Sequence, residues 1–170
     1  MTAIVIEGKK LAEQKRSELI ARVEALKQRG KVPGLTVLLV GDDPASAAYV
    51  RGKAKDCKKV GIRSDVVRLP KDISEAELLS HVERCNNDSE VDGILVQLPL
   101  PPHIDEQAVI RAIDPDKDVD GFHPINMGRL VIGTSGFLPC TPYGINTHRL
   151  LVRGTGSPNP AAAGTGNVQK

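Results

Sequence analysis

The sequence predicts an α/β fold, a three-layer sandwich around a mostly parallel sheet. Three observations carry this. Strand-length runs such as Leu35-Thr36-Val37-Leu38-Leu39-Val40 are nearly all apolar, as strands buried on both faces are. Stretches with helical period alternate with these runs. Cap and stop residues separate the two kinds of segment at short intervals. Strands alternating with helices build right-handed βαβ units, with helices on both faces of the sheet.

Residues 9–29 read as an amphipathic helix, with Leu19, Ile20, Val23 and Leu26 on the helical period and Gly30 and Pro33 ending it. The apolar run at 35–40 is the first strand. Asp43 is placed to cap the next helix and Pro44 to be its first residue. That helix is expected to reach Val60 and stop at Gly61. Ile62 to Leu69 is the second strand, closed by Pro70. Ser74-Glu75-Ala76-Glu77 is a capping box opening a third helix that ends near Asn86-Asn87. Residues 91–98 form the third strand, ended by Pro99, and a short helix spans about 105–113. Turn residues dominate 115–143, which reads as a long irregular segment. Its Phe122, Leu130, Val131, Ile132 and Phe137 favour a packed loop. After Ile145 the texture changes: residues 154–166 are low-complexity, so 1–145 is expected to be one domain and 146–170 a disordered tail.

The composition narrows the function. Aromatic residues are 2% of the 170 and Trp is absent, so the core is aliphatic and an RNA-stacking surface or aromatic peptide groove is not expected. A net charge of +2, with the two signs interleaved, is no nucleic-acid footprint. Cys57, Cys85 and Cys140 are odd in number and widely spaced, which suggests neither a disulfide framework nor a zinc site. The N-terminus turns charged too early for a signal peptide, and no apolar stretch has membrane-spanning length. A cytoplasmic protein is the expectation.

Four places carry candidate chemistry. Tyr49 and Lys53 lie one helical turn apart and share a helix face, where each can tune the other's proton affinity. The spacing alone also fits an ordinary surface helix. It occurs in short-chain dehydrogenases too, but after an N-terminal glycine-rich loop that this chain lacks. Gln97 ends a buried strand, where its amide needs a partner; the Lys53 amine is the functional choice and a neighbouring loop the plain one. Asp116-x-Asp118-x-Asp120-Gly121 begins like a calcium loop, but its twelfth position is Met127 rather than Glu. Asp120 reads better as a loop carboxylate aimed into a cleft, able to accept two hydrogen bonds from an amino-pyrimidine edge. Phe137-Leu138-Pro139-Cys140-Thr141-Pro142 is a stiff segment that lines a pocket or leads into a helix. His81, His103, His123 and His148 show no ligand spacing and read as surface or loop residues.

Read in order, these segments resemble one family. They are Gly41-Asp42-Asp43-Pro44-Ala45-Ser46 with Tyr49 and Lys53, then Gly93-Ile94-Leu95-Val96-Gln97-Leu98-Pro99-Leu100-Pro101, Lys117-Asp118-Val119-Asp120-Gly121-Phe122 and Pro139-Cys140-Thr141-Pro142. The family is the bifunctional methylenetetrahydrofolate dehydrogenase/methenyltetrahydrofolate cyclohydrolase of the FolD type, and the match runs to about Ile145. The resemblance implies two steps of one-carbon metabolism: hydride transfer from 5,10-methylene-tetrahydrofolate to NADP, and hydrolysis of the resulting methenyl cation to 10-formyl-tetrahydrofolate. It implies that Lys53 is the central proton-transfer group, that Tyr49 packs and positions the folate, that Gln97 supports the lysine, and that Asp120 anchors the pterin. The implied folate-contacting set is Tyr49, Val50, Arg51, Gly52, Lys53, Val96, Gln97, Leu98 and Asp120. It implies no metal.

Family members continue into a Rossmann-type NADP domain, through which they usually form homodimers. Nothing from Asn146 on resembles it, and Gly154-x-Gly156 lacks a third glycine and a strand–helix frame. The expectation is a rearranged or truncated product: a folate-binding catalytic half without a cofactor site, without dehydrogenase activity, and with the family dimer in doubt. The alternative expectation is a non-catalytic folate-binding or subunit-interaction module.

Overall fold

The apolar run at 35–40 is the middle strand of a parallel sheet. The computed structural model describes residues 7–145. The elements follow as α1 (Gly8–Gln28), β1 (Gly34–Val40), α2 (Pro44–Val60), β2 (Arg63–Leu69), α3 (Glu75–Asn87), β3 (Gly93–Val96), α4 (Glu106–Ala112) and α5 (Pro124–Ile132). The strand order is β2-β1-β3. Gly34 stands opposite Arg63 and Val40 opposite Leu69, while Leu35 stands opposite Gly93 and Leu38 opposite Val96.

Successive side chains of a strand point to opposite faces. Val37 and Leu39 pack on one face with Ala47 and Val50 of α2 and with Leu95. Leu38 and Val40 pack on the other with Leu78 and Val82 of α3, Val109 of α4, and Ile94 and Val96. Both faces of β1 are covered, and its apolar run is the consequence. This is the expected sandwich of helices on both sides of a parallel sheet.

Each helix on the sheet starts at its own cap. The Asp43 carboxylate accepts from the Ser46 amide at 2.7 Å, with Pro44 in the first turn and Gly61 left-handed at the end. Ser74 and Glu77 form the capping box of α3. Asp105 accepts from the Gln107 amide at 2.8 Å to open α4.

The structure departs from the sequence expectation in four places. Strand β3 is four residues long, shorter than the apolar run of 91–98. In α1 only Val23 is buried, and Leu19 and Ile20 are exposed. The segment 115–143 is not irregular throughout, since α5 lies within it. Its apolar residues are not a packed set either: Phe122, Leu130, Val131, Ile132 and Phe137 are all exposed. The expected tail, 146–170, lies outside the described residues. No described helix is long and apolar enough to cross a membrane.

Candidate active site

The Asp43 cap and Pro44 fix where α2 begins, and the helical period then sets Tyr49 and Lys53 on one flank. The Lys53 ammonium lies over the Tyr49 ring, 4.5 Å from its centroid. The two line an open groove with Ala45, Ala48, Gly52 and Cys57. Gly52 leaves room there, because a Cβ at this position meets nothing within 4 Å. Asp56, on the same groove, is engaged by Arg16 at 2.8 Å and Lys59 at 3.2 Å. The Lys53 charge is thus left to the groove rather than to a pairing with Asp56.

Asp120 faces the same charge from the 117–121 turn. Burial holds its carboxyl above the usual carboxylate range, the Lys53 ammonium acts against this, and the Asp118 carboxylate adds to it. The Cys140 thiol feels both charges: partial desolvation pushes it up, Asp120 and Asp118 add, and Lys53 opposes. Lys53 and Asp120, far apart in sequence, therefore share one electrostatic neighbourhood.

The turn is tightly built. The Lys117 ammonium donates to the Cys85, Asn86 and Asp88 carbonyls at 3.1, 2.7 and 2.8 Å, closing the C-terminal end of α3. The Ile94 amide donates to the Lys117 carbonyl at 2.7 Å, and Asp118 bridges in parallel to Ile94 at the sheet edge. Val119 packs against the Val37–Leu39 side of the core. Gly121 has φ +69°, and a Cβ there would come within 2.8 Å of the Leu138 carbonyl carbon. The turn and the 137–140 segment meet backbone to backbone at this glycine, and the Cys140 thiol also faces the Val119 carbonyl at 3.7 Å.

The other expected site residues divide. The Gln97 amide does not meet Lys53: its Nε2 donates to the Leu98 carbonyl at 2.7 Å, and its Oε1 is buried with no partner among the described residues. Val50 and Val96 are buried in the two halves of the core, and Leu98 packs against the second of these. What Val50 and Val96 offer a ligand is backbone. Arg51 is exposed on α2, and the groove lining beside Tyr49 and Lys53 does not include it.

Three buried polar residues went unread as such in the sequence. Asp118, Asn126 and His123 are buried, at 2%, 0% and 8% exposure. Of the two readings of His123 the loop one holds and the surface one does not: it is buried, and its Nδ1 accepts from the Ile125 amide at 3.1 Å and caps α5. The Asp-x-Asp-x-Asp spacing does not gather its carboxylates. Asp116 pairs with Arg129 at 2.9 Å, Asp118 turns inward, and Asp120 faces Lys53. The His123-Pro124 start and Gly133 stop were the available signal for α5. Nothing in the sequence marked Asn126.

Comparison with known proteins gives the family of the chain. Residues 6–120 match the family model described as tetrahydrofolate dehydrogenase/cyclohydrolase, catalytic domain. A curated relative, the bifunctional protein FolD of Bacillus cereus (strain B4264), is 55% identical over 145 residues, which is 85% of this chain and 51% of the relative. The crystal structure of the Campylobacter jejuni FolD enzyme superposes with a TM-score of 0.86 at 46% identity, covering 89% of this chain and 54% of that one. The Trypanosoma brucei FolD structure, complexed with NADP cofactor and inhibitor, gives 0.84 at 36% identity, covering 91% and 54%. The chain spans about half the length of the curated relatives it matches. By the match of its own residues, it belongs to the tetrahydrofolate dehydrogenase/cyclohydrolase family, within that family's catalytic domain.

Proposed function

We propose that the α2 groove at Tyr49 and Lys53, together with the neighbouring 117–121 turn, binds a reduced folate, and that Lys53 carries the proton transfer of methenyl-tetrahydrofolate hydrolysis. The observation that supports this reading is the Lys53 ammonium over the Tyr49 ring on one open groove, with Asp120 of the 117–121 turn within reach of its charge, in a chain of this family.

The chemistry follows from the groups. Asp120 makes no side-chain hydrogen bond among the described residues, so both its oxygens are available to an N–H and NH₂ edge such as a pterin presents. Tyr49 offers a ring face beside the lysine, against which a flat ligand can stack. In the hydrolysis, water adds to the electrophilic methenyl carbon. Lys53, acting as the neutral amine, takes one water proton. The bond from that carbon to one ring nitrogen then breaks as that nitrogen receives the proton from Lys53, and the added hydroxyl releases its own proton to water to leave the formyl carbonyl. Gln97 is the positioning residue here: its buried, unpartnered Oε1 is an acceptor for the lysine amine or a ligand N–H once the groove is filled.

The described residues do not fit a dinucleotide cofactor. The turn into α2 holds one glycine, Gly41, followed by Asp42 and Asp43. The Asp43 carboxylate takes the amide a phosphate would use. The starts of α3 and α4 are likewise filled by Ser74 with Glu77 and by Asp105. No hydride step is therefore derived from these residues, and the reading assigns them the hydrolysis alone.

A second reading, folate binding without turnover, has one observation in its favour: Tyr49 is 61% exposed, so the groove is open to water on its side. One pair of assays separates the readings. Lys53→Met is expected to remove acceleration of methenyl-tetrahydrofolate hydrolysis while retaining calorimetric binding of a folate analogue. An unchanged rate overturns the lysine role, and binding by a wild-type chain that never accelerates hydrolysis establishes the second reading.

A further inference from the structure

A carboxylate with 2% exposure is costly unless its oxygens are hydrogen-bonded, and Asp118 is such a group lying two residues before Asp120. We propose that Asp118 is the positioning residue for Asp120: its buried carboxylate, gripped by the His123 amide and the Asn126 side chain, holds the turn that presents Asp120 to Lys53. The inference rests on the folate reading only for the importance of Asp120, not for the geometry of the turn.

Both donors meet the same oxygen. The His123 amide reaches Asp118 Oδ2 at 2.8 Å and Asn126 Nδ2 reaches it at 3.0 Å. Asn126 is fully buried and is itself fixed, donating to the Pro115 carbonyl at 2.8 Å and accepting from Arg129 at 3.2 Å. Arg129 returns to Asp116 at 2.9 Å. A continuous chain of polar contacts therefore ties residues 115–118 to α5. From Asp118 the backbone closes a turn, the Gly121 amide donating to the Asp118 carbonyl at 3.2 Å. Asp120 stands on that turn.

The groups that face Asp120 are Lys53 of α2, the Cys140 thiol and Asp118 itself. Asp118 thus acts in two ways. It fixes the backbone by accepting hydrogen bonds, and it sets a like charge beside the carboxyl that meets Lys53, which favours the protonated form of Asp120.

Asp118→Asn separates the two, because an amide oxygen can accept from both donors but carries no charge. Asp118→Ala removes the acceptor as well. In the ligand-free chain, each aspartate carboxyl is followed by carbon-detected NMR across a pH titration. For Asp118→Asn the expected result is an unchanged amide pattern over 119–126 with the Asp120 midpoint moved down. For Asp118→Ala, the amides of 119–122 are expected to shift and to lose hydrogen-exchange protection. An Asp120 midpoint that stays in place in Asp118→Asn overturns the inference, as does an Asp118→Ala variant with unmoved turn resonances. If Asp118→Ala does not fold, the Asp118→Asn midpoint decides alone. Titration of the wild-type chain with 5-formyl-tetrahydrofolate keeps the two proposals apart. Absence of binding overturns the folate reading and leaves a moved midpoint standing as support for Asp118. Binding together with an unmoved midpoint supports the folate reading and overturns this one.

Discussion

The Lys53 ammonium rests over the face of the Tyr49 ring, one turn earlier on α2, with 4.5 Å between Nζ and the ring centroid. A cation over an exposed aromatic face is held by about 0.5–1 kcal/mol. With Tyr49 61% exposed, this contact orients the lysine more than it stabilises the fold. Tyr49→Phe keeps the face and Tyr49→Ala removes it. Calorimetric titration with a folate analogue should therefore show a larger loss of affinity for Tyr49→Ala, with little change in urea midpoint for either variant. Equal losses would place the role of Tyr49 in its hydroxyl instead.

Asp120 gives a pH dependence of definite sign. Its ordinary value is 3.8, and burial raises it in the folded chain. Between the two values the folded chain binds more protons than the unfolded chain. Stability contributed by this group therefore falls as pH rises through that window and stays lower above it. Asp120→Asn removes the effect. The variant should gain in urea stability relative to wild type near neutrality, gain less at acid pH, and lose folate-analogue affinity. A variant less stable than wild type at neutral pH runs against this assignment.

Lys117 closes the end of α3 through three carbonyls. Lys117→Met keeps much of the stem and loses the ammonium. Charge-assisted capping at a helix C-terminus is worth about 1–2 kcal/mol, so urea unfolding should show a loss of that order. A loss under a few tenths would mean that water replaces the cap.

Much of this was legible in the sequence, for physical reasons that vary with the residue. Leu38 and Val37 are buried on opposite faces of one strand, so the run could only be apolar, and an apolar run between caps reads as a buried strand. Asp43, Ser74 and Asp105 are local signals, since a cap reaches only two or three residues along the chain. The site was legible where it repeats a local spacing, as in Tyr49 and Lys53. Its supports were not. Asn126 works by reaching Pro115 and Asp118 across a turn, and no local pattern marks that. Gln97 was read correctly as a strand-end polar group in need of partners. Which partner it took depends on the path of the chain at Leu98. In α1, the helical period was present, but Leu19 and Ile20 stay exposed.

The core is the control for all variants of the site. Leu38 is fully buried between the sheet and the α3–α4 layer. Leu38→Ala should cost about 2–5 kcal/mol without moving the Asp120 titration midpoint. A cost below 1 kcal/mol would show that the layer repacks around the lost atoms.

The central claim is that Lys53 and Asp120 serve one ligand site. Amide NMR of the assigned chain, titrated with 5-formyl-tetrahydrofolate, tests it most directly. The account predicts saturable shifts concentrated at residues 49–53, 97–98 and 119–121 and at Cys140, with the strands β1 and β2 little changed. Saturable shifts gathered away from α2 and the 117–121 turn, or no saturable shift at all, would contradict it.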